Sequence, residues 1–216
     1  MDKMMEIPKD DNLLKTGTTG LALLFKGGVV IAADKQGSAG YVADKKADKV
    51  FMISKNIGMG ISGLVSDAMN LVDVMKAELK LYKFDNAIEP TVKVAASLLR
   101  VILHGAYRRF FPYWTQLIIG GSDPTGEYLF SIDPSGGMTK DNYMVIGSGS
   151  LFALSKLEDG WKEGLSKDEA RTLAIQALKL AISRDLYTGY GYNLYFITKD
   201  GFEKETVNLE TVEVPQ

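Results

Sequence analysis

Two strand-length apolar runs, Leu21–Phe25 and Val29–Ala33, meet at Lys26-Gly27-Gly28, where glycines supply the positive φ that a hairpin turn needs. The polar pair Thr18-Thr19 opens this hairpin, and the residues before it are mostly polar without sustained periodicity. Gly40–Ala43 and Val50–Ile53 flank the charged stretch DKKADK, and Ile57–Ile61 follows the Lys55-Asn56 turn, so several strands precede the first helix. The spacing then changes to three and four. From Ser66, a candidate N-cap, apolar residues fall at Ala68, Leu71, Val72, Met75, Leu79 and Tyr82. After Pro90 a second helix puts Val94, Ala95, Leu98, Leu99, Ile102 and Leu103 on one face, and Phe110-Phe111-Pro112 ends it.

Strand signals return at Thr115–Ile119, Tyr128–Ile132 and Tyr143–Ile146, separated by GGSDPTG and DPSGG turns, and these are expected to form a second sheet. Leu151–Leu157 reads as a short helix. Ser166-Lys167-Asp168-Glu169 is a capping-box sequence opening a long one, with Leu173, Ala174, Ala177, Leu178, Ala181 and Ile182 inward. Asn193–Ile197 and Thr206–Leu209 close the chain as strands. This order predicts an α+β chain of two stacked sheets with helices on both outer faces.

With 216 residues, 46% of them hydrophobic, the chain suits one large domain with a two-layer core. Twenty-five basic and twenty-seven acidic side chains give a net charge of −2, which offers no field for nucleic acid or an anionic membrane. The absence of cysteine excludes disulfides and thiolate catalysis, and a single histidine argues against a protein-built zinc site. No apolar run approaches a membrane span, and Asp2, Glu6, Asp10 and Asp11 stand where a secretory signal would be apolar. The default is a soluble cytoplasmic protein.

Several motifs have competing readings. Gly58-Met59-Gly60-Ile61-Ser62-Gly63 matches the dinucleotide pattern G-x-G-x-x-G. The region where that fingerprint needs a parallel strand ending in an acidic residue is Glu78–Asp85, which is helical in pattern, so the glycines are read as structural. Tyr107–Trp114 interleaves bases and aromatics, and subunit packing is preferred to single-stranded nucleic acid. His104 falls near a helix end without a G-x-S-x-G elbow, so no serine-hydrolase role is assigned to it. Asp123 and Asp133 lie in turn sequences and are read as backbone caps.

GTTGLALLFKGGVVIAAD resembles the start of an active β-subunit of the 20S proteasome, in which a Gly-Thr bond is cut to expose an N-terminal threonine. The resemblance continues in order through AGYVADKKADKV, ISGLVSDA, FPYWTQLIIGG, SIDPSGG, GSGS and RDLYTG. It implies the αββα four-layer sandwich of two antiparallel sheets, the N-terminal-nucleophile hydrolase fold. It also implies a propeptide, residues 1–17, removed by autocleavage at Gly17-Thr18, and a single domain over 18–216. Heptameric β rings flanked by α rings, a regulatory ATPase acting through the α ring, unfolded-protein substrates and no cofactor follow from the same likeness. A catalytically silent ring subunit that keeps its leader is the alternative. The related bacterial threonine peptidase with hexameric rings is a weaker match, because the C-terminal half here looks longer.

A threonine hydroxyl is a poor nucleophile without a base, and a chain-terminal threonine carries one in its α-amino group, whose ordinary pKa is about 7.7–8.0. By resemblance Thr18 is the nucleophile, Lys49 the cation that lowers the amine's pKa, and Asp34 the carboxylate that holds Lys49 charged. One residue fewer separates Asp34 from Lys49 than is usual in the family. Gly63 matches the oxyanion donor, although Ser62 and Ser66 stand where the family has alanine and glycine. Ser148, Asp185 and Thr188 match the residues around the threonine amine, Thr188 replacing a serine. The positions matching the substrate pocket are Gly37, Ser38, Ala47, Phe51, Ile61, Val65 and Met69. Their uncharged and mostly apolar character implies cleavage after large hydrophobic residues, unless Asp48 turns inward.

Overall fold

The computed structural model describes residues 17–209, so the expected leader lies, apart from Gly17, outside the described residues. The hairpin comes first: β1 (Gly20–Phe25) and β2 (Gly28–Asp34) pair antiparallel from Gly20↔Ala33 to Phe25↔Gly28. A small ribbon, β3 (Gly37–Ser38) with β4 (Val42–Asp44), leads to β5 (Val50–Ser54) and β6 (Ile57–Gly63). Helices α1 (Val65–Asn86) and α2 (Val92–Arg108) follow, then β7 (Thr115–Asp123), β8 (Gly126–Ile132), β9 (Met138–Lys140) and β10 (Tyr143–Ile146). The chain ends with α3 (Ser150–Gly160), α4 (Lys167–Arg184), β11 (Tyr192–Thr198) and β12 (Gly201–Val207).

Two antiparallel five-stranded sheets result, ordered β10-β1-β2-β11-β12 and β5-β6-β7-β8-β9. Strand alternation decides which layer each side chain enters. Leu21, Leu23 and Phe25 face α3 and α4, packing with Ala153, Leu157, Ala177 and Leu178. Between them Ala22 faces the other sheet, joining Val29, Ile31, Ile118, Leu129 and Ile197. On the far side Ile57, Met59 and Ile61 pack under Leu71, Met75, Leu99 and Leu103 of α1 and α2. These three buried layers make the αββα sandwich, each large apolar side chain contributing roughly 1.5–3 kcal/mol by leaving water. Gly58 lies against the other sheet: a Cβ there would stand 2.6 Å from Ile197 Cδ1 and 3.1 Å from Ile31 Cδ1. The G-x-G pattern is thus a strand in sheet contact.

The structure corrects several expectations. Tyr143–Ile146 does not join the second sheet; β10 pairs with β1, Gly20 opposite Ile146, and its Met144 and Ile146 fill the layer between the sheets. The second sheet instead gains β5 and β6 on one side and the unforeseen β9 on the other. Ser66 does not cap α1, whose N-cap is Leu64, with no side-chain bond; Asp67 in the first turn instead accepts from Trp114 N–H at 2.9 Å. On α2 the buried face is Val92, Ala95, Ala96, Leu99 and Leu103, a slight rotation from the expected one. The last strand is Gly201–Val207, not Thr206–Leu209, and it was hidden because FEKETV is a largely polar edge strand.

Candidate active site

The β1–β2 pairing sets the first two members of the site side by side. With Gly20 opposite Ala33, Thr19 falls beside Asp34: Asp34 N–H donates to the Thr19 carbonyl (3.1 Å), and Thr19 N–H donates to Asp34 Oδ1 (2.9 Å). Gln36 N–H (2.9 Å) and Gly189 N–H (3.1 Å) donate to Asp34 Oδ2. Lys49, just before β5 on the opposite sheet, donates its Nζ to Asp34 Oδ1 at 2.8 Å and to the Gly17 carbonyl at 3.3 Å. Burial pushes the Asp34 carboxyl up and the Lys49 ammonium down from their ordinary ranges, and their contact opposes both. Three backbone N–H groups and an ammonium, all donors, converge on a carboxyl that receives no acceptor, so the site is built for the carboxylate.

A second arm comes from the late loops. Asp185 caps the C-terminus of α4, and its Oδ2 accepts from the hydroxyls of Ser148 and Thr188, each at 2.6 Å. With its proton turned to Asp185, Ser148 Oγ accepts from Thr18 N–H at 3.2 Å. For the same reason Thr188 accepts from the Thr19 hydroxyl at 2.8 Å. The methyl group of Thr188 is accommodated, the residue being buried with its hydrogen bonds made.

In the full-length chain Thr18 is joined to Gly17 through a peptide bond, so its nitrogen is an amide. Its hydroxyl donates to the Gly17 carbonyl oxygen at 2.7 Å, the same oxygen that Lys49 reaches. Residue 17 is pressed against the late loop: a Cβ there would lie 1.7 Å from Tyr187 Cβ, so only glycine fits. At Gly63 the chain takes φ +106°, and a Cβ would come within 2.3 Å of the Trp114 carbonyl. Ladder alternation directs the N–H of Gly63 away from β7: Leu64 N–H goes to Trp114 on that side, and Ile61 N–H to the Lys49 carbonyl on the other.

A cavity of about 440 Å³ opens beside Thr18 and Lys49, walled by Gly37, Ser38, Ala47, Ile61, Gly63 and Val65. Phe51 and Met69, expected in the pocket, are absent from its wall and pack instead on the core beneath α1 and α2. Leu64, Ala39, Ala43 and Asp44 border the cavity without having been anticipated. Asp48 also lines the cavity, its carboxylate accepting from Asn193 Nδ2 (2.8 Å) and Lys204 Nζ (3.2 Å). Thr19, Gln36, Gly189 and Asn193 were missed as parts of the site. Thr19 was findable as the neighbour of Thr18, whereas the others contribute a backbone N–H or an amide that no spacing announces. His104 is exposed on α2, its Nδ1 3.1 Å from the Ser135 carbonyl, and Asp123 and Asp133 cap their turns as expected.

Comparison with known proteins bears on this constellation. The family model described as proteasome subunit matches residues 14–197. The chain belongs to the proteasome subunit family. It is 42% identical over 200 residues to the proteasome subunit beta of Methanoregula boonei, covering 92% of each chain. It is 39% identical over 199 residues to proteasome subunit beta 2 of Aeropyrum pernix, covering 92% of this chain and 90% of that one. The proteasome subunit beta of Methanobrevibacter smithii is 41% identical over 203 residues, with 92% and 97% covered. Among the described residues, no helix is long and apolar enough to cross a membrane.

Proposed function

We propose that this proteasome-family chain is a threonine endopeptidase that first releases its own leader and then cleaves unfolded chains. One observation carries the reading: the Thr18 hydroxyl and the Lys49 ammonium meet on the carbonyl oxygen of Gly17, at 2.7 and 3.3 Å. In self-processing the Thr18 oxygen attacks the Gly17 carbonyl carbon, its proton passing to the departing nitrogen, and an ester joins Gly17 to Thr18. Lys49 steadies the negative charge on the carbonyl oxygen. Water then hydrolyses the ester, leaving a carboxylate on Gly17, a free hydroxyl and a free α-amino group on Thr18.

That amine is the base for later turnovers. It accepts the hydroxyl proton as the oxygen attacks a substrate carbonyl, and returns it to the leaving amine. Nearby Lys49 lowers the amine's proton affinity by like-charge repulsion, Ser148 orients its nitrogen, and the Gly63 N–H serves the developing oxyanion. The cavity between Ala47, Ile61 and Val65 takes the side chain before the cut, and its apolar wall favours large hydrophobic residues. The chain works in a heptameric β ring stacked against α rings in the cytoplasm, fed by an ATPase through the α ring. Hydrolysis of a fluorogenic peptide ending in Leu or Tyr by assembled particles, absent in Thr18→Ala, tests the reading; equal hydrolysis by the variant contradicts it.

A further inference from the structure

The stretch that carries Lys49 has no regular structure of its own. Residues 45–49 lie between β4 and β5 and belong to no ladder. Two backbone bonds hold this stretch, Ala47 N–H to the Lys35 carbonyl (3.0 Å) and Ile61 N–H to the Lys49 carbonyl (2.9 Å). Between them stands Asp48, whose Oδ1 accepts from Asn193 Nδ2 at 2.8 Å. Asn193 is buried on β11, opposite Ala33 of β2 on one side and Thr206 of β12 on the other. The Thr206 hydroxyl donates to Asn193 Oδ1 at 2.8 Å, which commits the amide oxygen to β12 and turns its nitrogen to Asp48. Lys204 also reaches Asp48, at 3.2 Å, but from a partly exposed position where solvent screens the pair.

We propose that Asp48 is a positioning residue that ties the backbone of Lys49 to the sheet holding Asp34, acting through Asn193. The inference rests on the role given to Lys49 under the proposed function. Asp34 is the neighbour of Ala33 in β2, so its anchor and that of Lys49 share one frame: Ala33 pairs with Asn193, and Asn193 holds Asp48. Asp48 is held on Asn193 of β11 while its neighbour Lys49 reaches Asp34 and the Gly17 carbonyl, so the two side chains are committed to different partners. A long lysine side chain has enough freedom to lose this alignment, and misplacement of a catalytic group by about 1 Å can cost on the order of 100-fold in rate.

Kinetics of assembled particles on a fluorogenic Leu peptide test this. Asp48→Ala should lose on the order of 10-fold in kcat with little change in KM, while Asp48→Asn, which keeps an acceptor oxygen, retains most of the wild-type kcat. Asn193→Asp sets two carboxylates against each other and should lower kcat comparably. Joined to Asp48→Asn it restores the hydrogen bond with donor and acceptor exchanged, and kcat recovers. Wild-type kcat in Asp48→Ala, an equal loss in Asp48→Asn, or a double variant no better than Asn193→Asp alone overturns the proposal. An inactive wild-type particle strikes the peptidase reading instead. The structure of Asp48→Ala then decides by itself: Lys49 Nζ drawn away from Asp34 supports the positioning role, and an unmoved pair refutes it.

Discussion

Lys49 and Asp34 form an ion pair 2.8 Å long between the two sheets, with side chains only 7% and 0% exposed. Removing one partner of such a pair leaves a buried charge without its counterion, which costs about 3–5 kcal/mol. Lys49→Ala should therefore abolish peptidase activity and also lower the thermal midpoint, not spare stability as a surface lysine would. Without the ammonium nothing charged opposes burial, so the folded pKa of Asp34 rises further above its unfolded value. Stability from a raised pKa is present at low pH and lost as pH rises through the folded value, so the variant's deficit should narrow on acidification. Adding Asp34→Asn should restore neither the midpoint in full nor the activity, because its amide nitrogen would face backbone N–H donors. Melting curves of the single and double variants across pH check this; a pH-independent deficit would contradict it.

The Thr188 hydroxyl links Thr19 to the Asp185 carboxylate, while its backbone N–H separately donates to the Asp185 carbonyl at 3.3 Å. Thr188→Ser should keep activity and stability near wild type. Thr188→Val, nearly the same shape, strands the buried Thr19 hydroxyl at a cost of about 1–3 kcal/mol and frees Ser148 and Asp185 to reorient, lowering kcat. Equal kinetics for the Ser and Val variants would remove this hydroxyl from the site.

The helix that delivers Asp185 starts from a capping box. Ser166 accepts from Glu169 N–H while the Glu169 side chain accepts from Ser166 N–H, and these contacts with Lys162 pull the Glu169 pKa down to about 2. A depressed carboxylate contributes stability above its unfolded pKa and loses it as pH falls toward about 2. Ser166→Ala should cost about 1 kcal/mol at neutral pH, with a smaller difference from wild type in acid. Unfolding curves at the two pH values measure it.

On the proposed function, the cavity beside Thr18 sets where the cut falls. Ala47, Ile61 and Val65 give its wall an apolar face, and of the two carboxylates at its border, Asp44 and Asp48, the latter is held by Asn193 and Lys204. Fluorogenic peptides differing only in the residue before the cut should rank Leu and Tyr above Arg. The reverse ranking would mean that a carboxylate, Asp44 or Asp48, sets the choice.

The layers of the fold were legible because short apolar runs bounded by turns give way cleanly to three-and-four spacing along the chain. The hairpin that joins Thr18-Thr19 to Asp34 could be read from two strand-length apolar runs and the glycines between them. What was not legible depended on pairing at a distance. Tyr143–Ile146 looks the same whether it completes one sheet or the other, and only the partner across from it decides. The edge strand Gly201–Val207 is largely polar, so it carries little apolar signal. In the site, side chains with their own chemistry stood out, whereas the N–H of Gly189 and the amide of Asn193 act through position. Phe51 and Met69 pack against the core under α1 and α2 and not on the cavity wall, a distinction hidden in sequence because apolar residues near a pocket and apolar residues under a helix look alike.

Self-processing at Thr18 is tested most directly by the intact mass of the chain in purified, assembled particles. Wild type should show residues 18–216 alone, and Thr18→Ala should retain the full leader. Gly17→Ala should also retain it, because its Cβ would collide with Tyr187. Removal of the leader at Gly17 in the Thr18→Ala particle as fast as in wild type, or a fully active wild-type particle that still carries it, would contradict cleavage by the Thr18 hydroxyl.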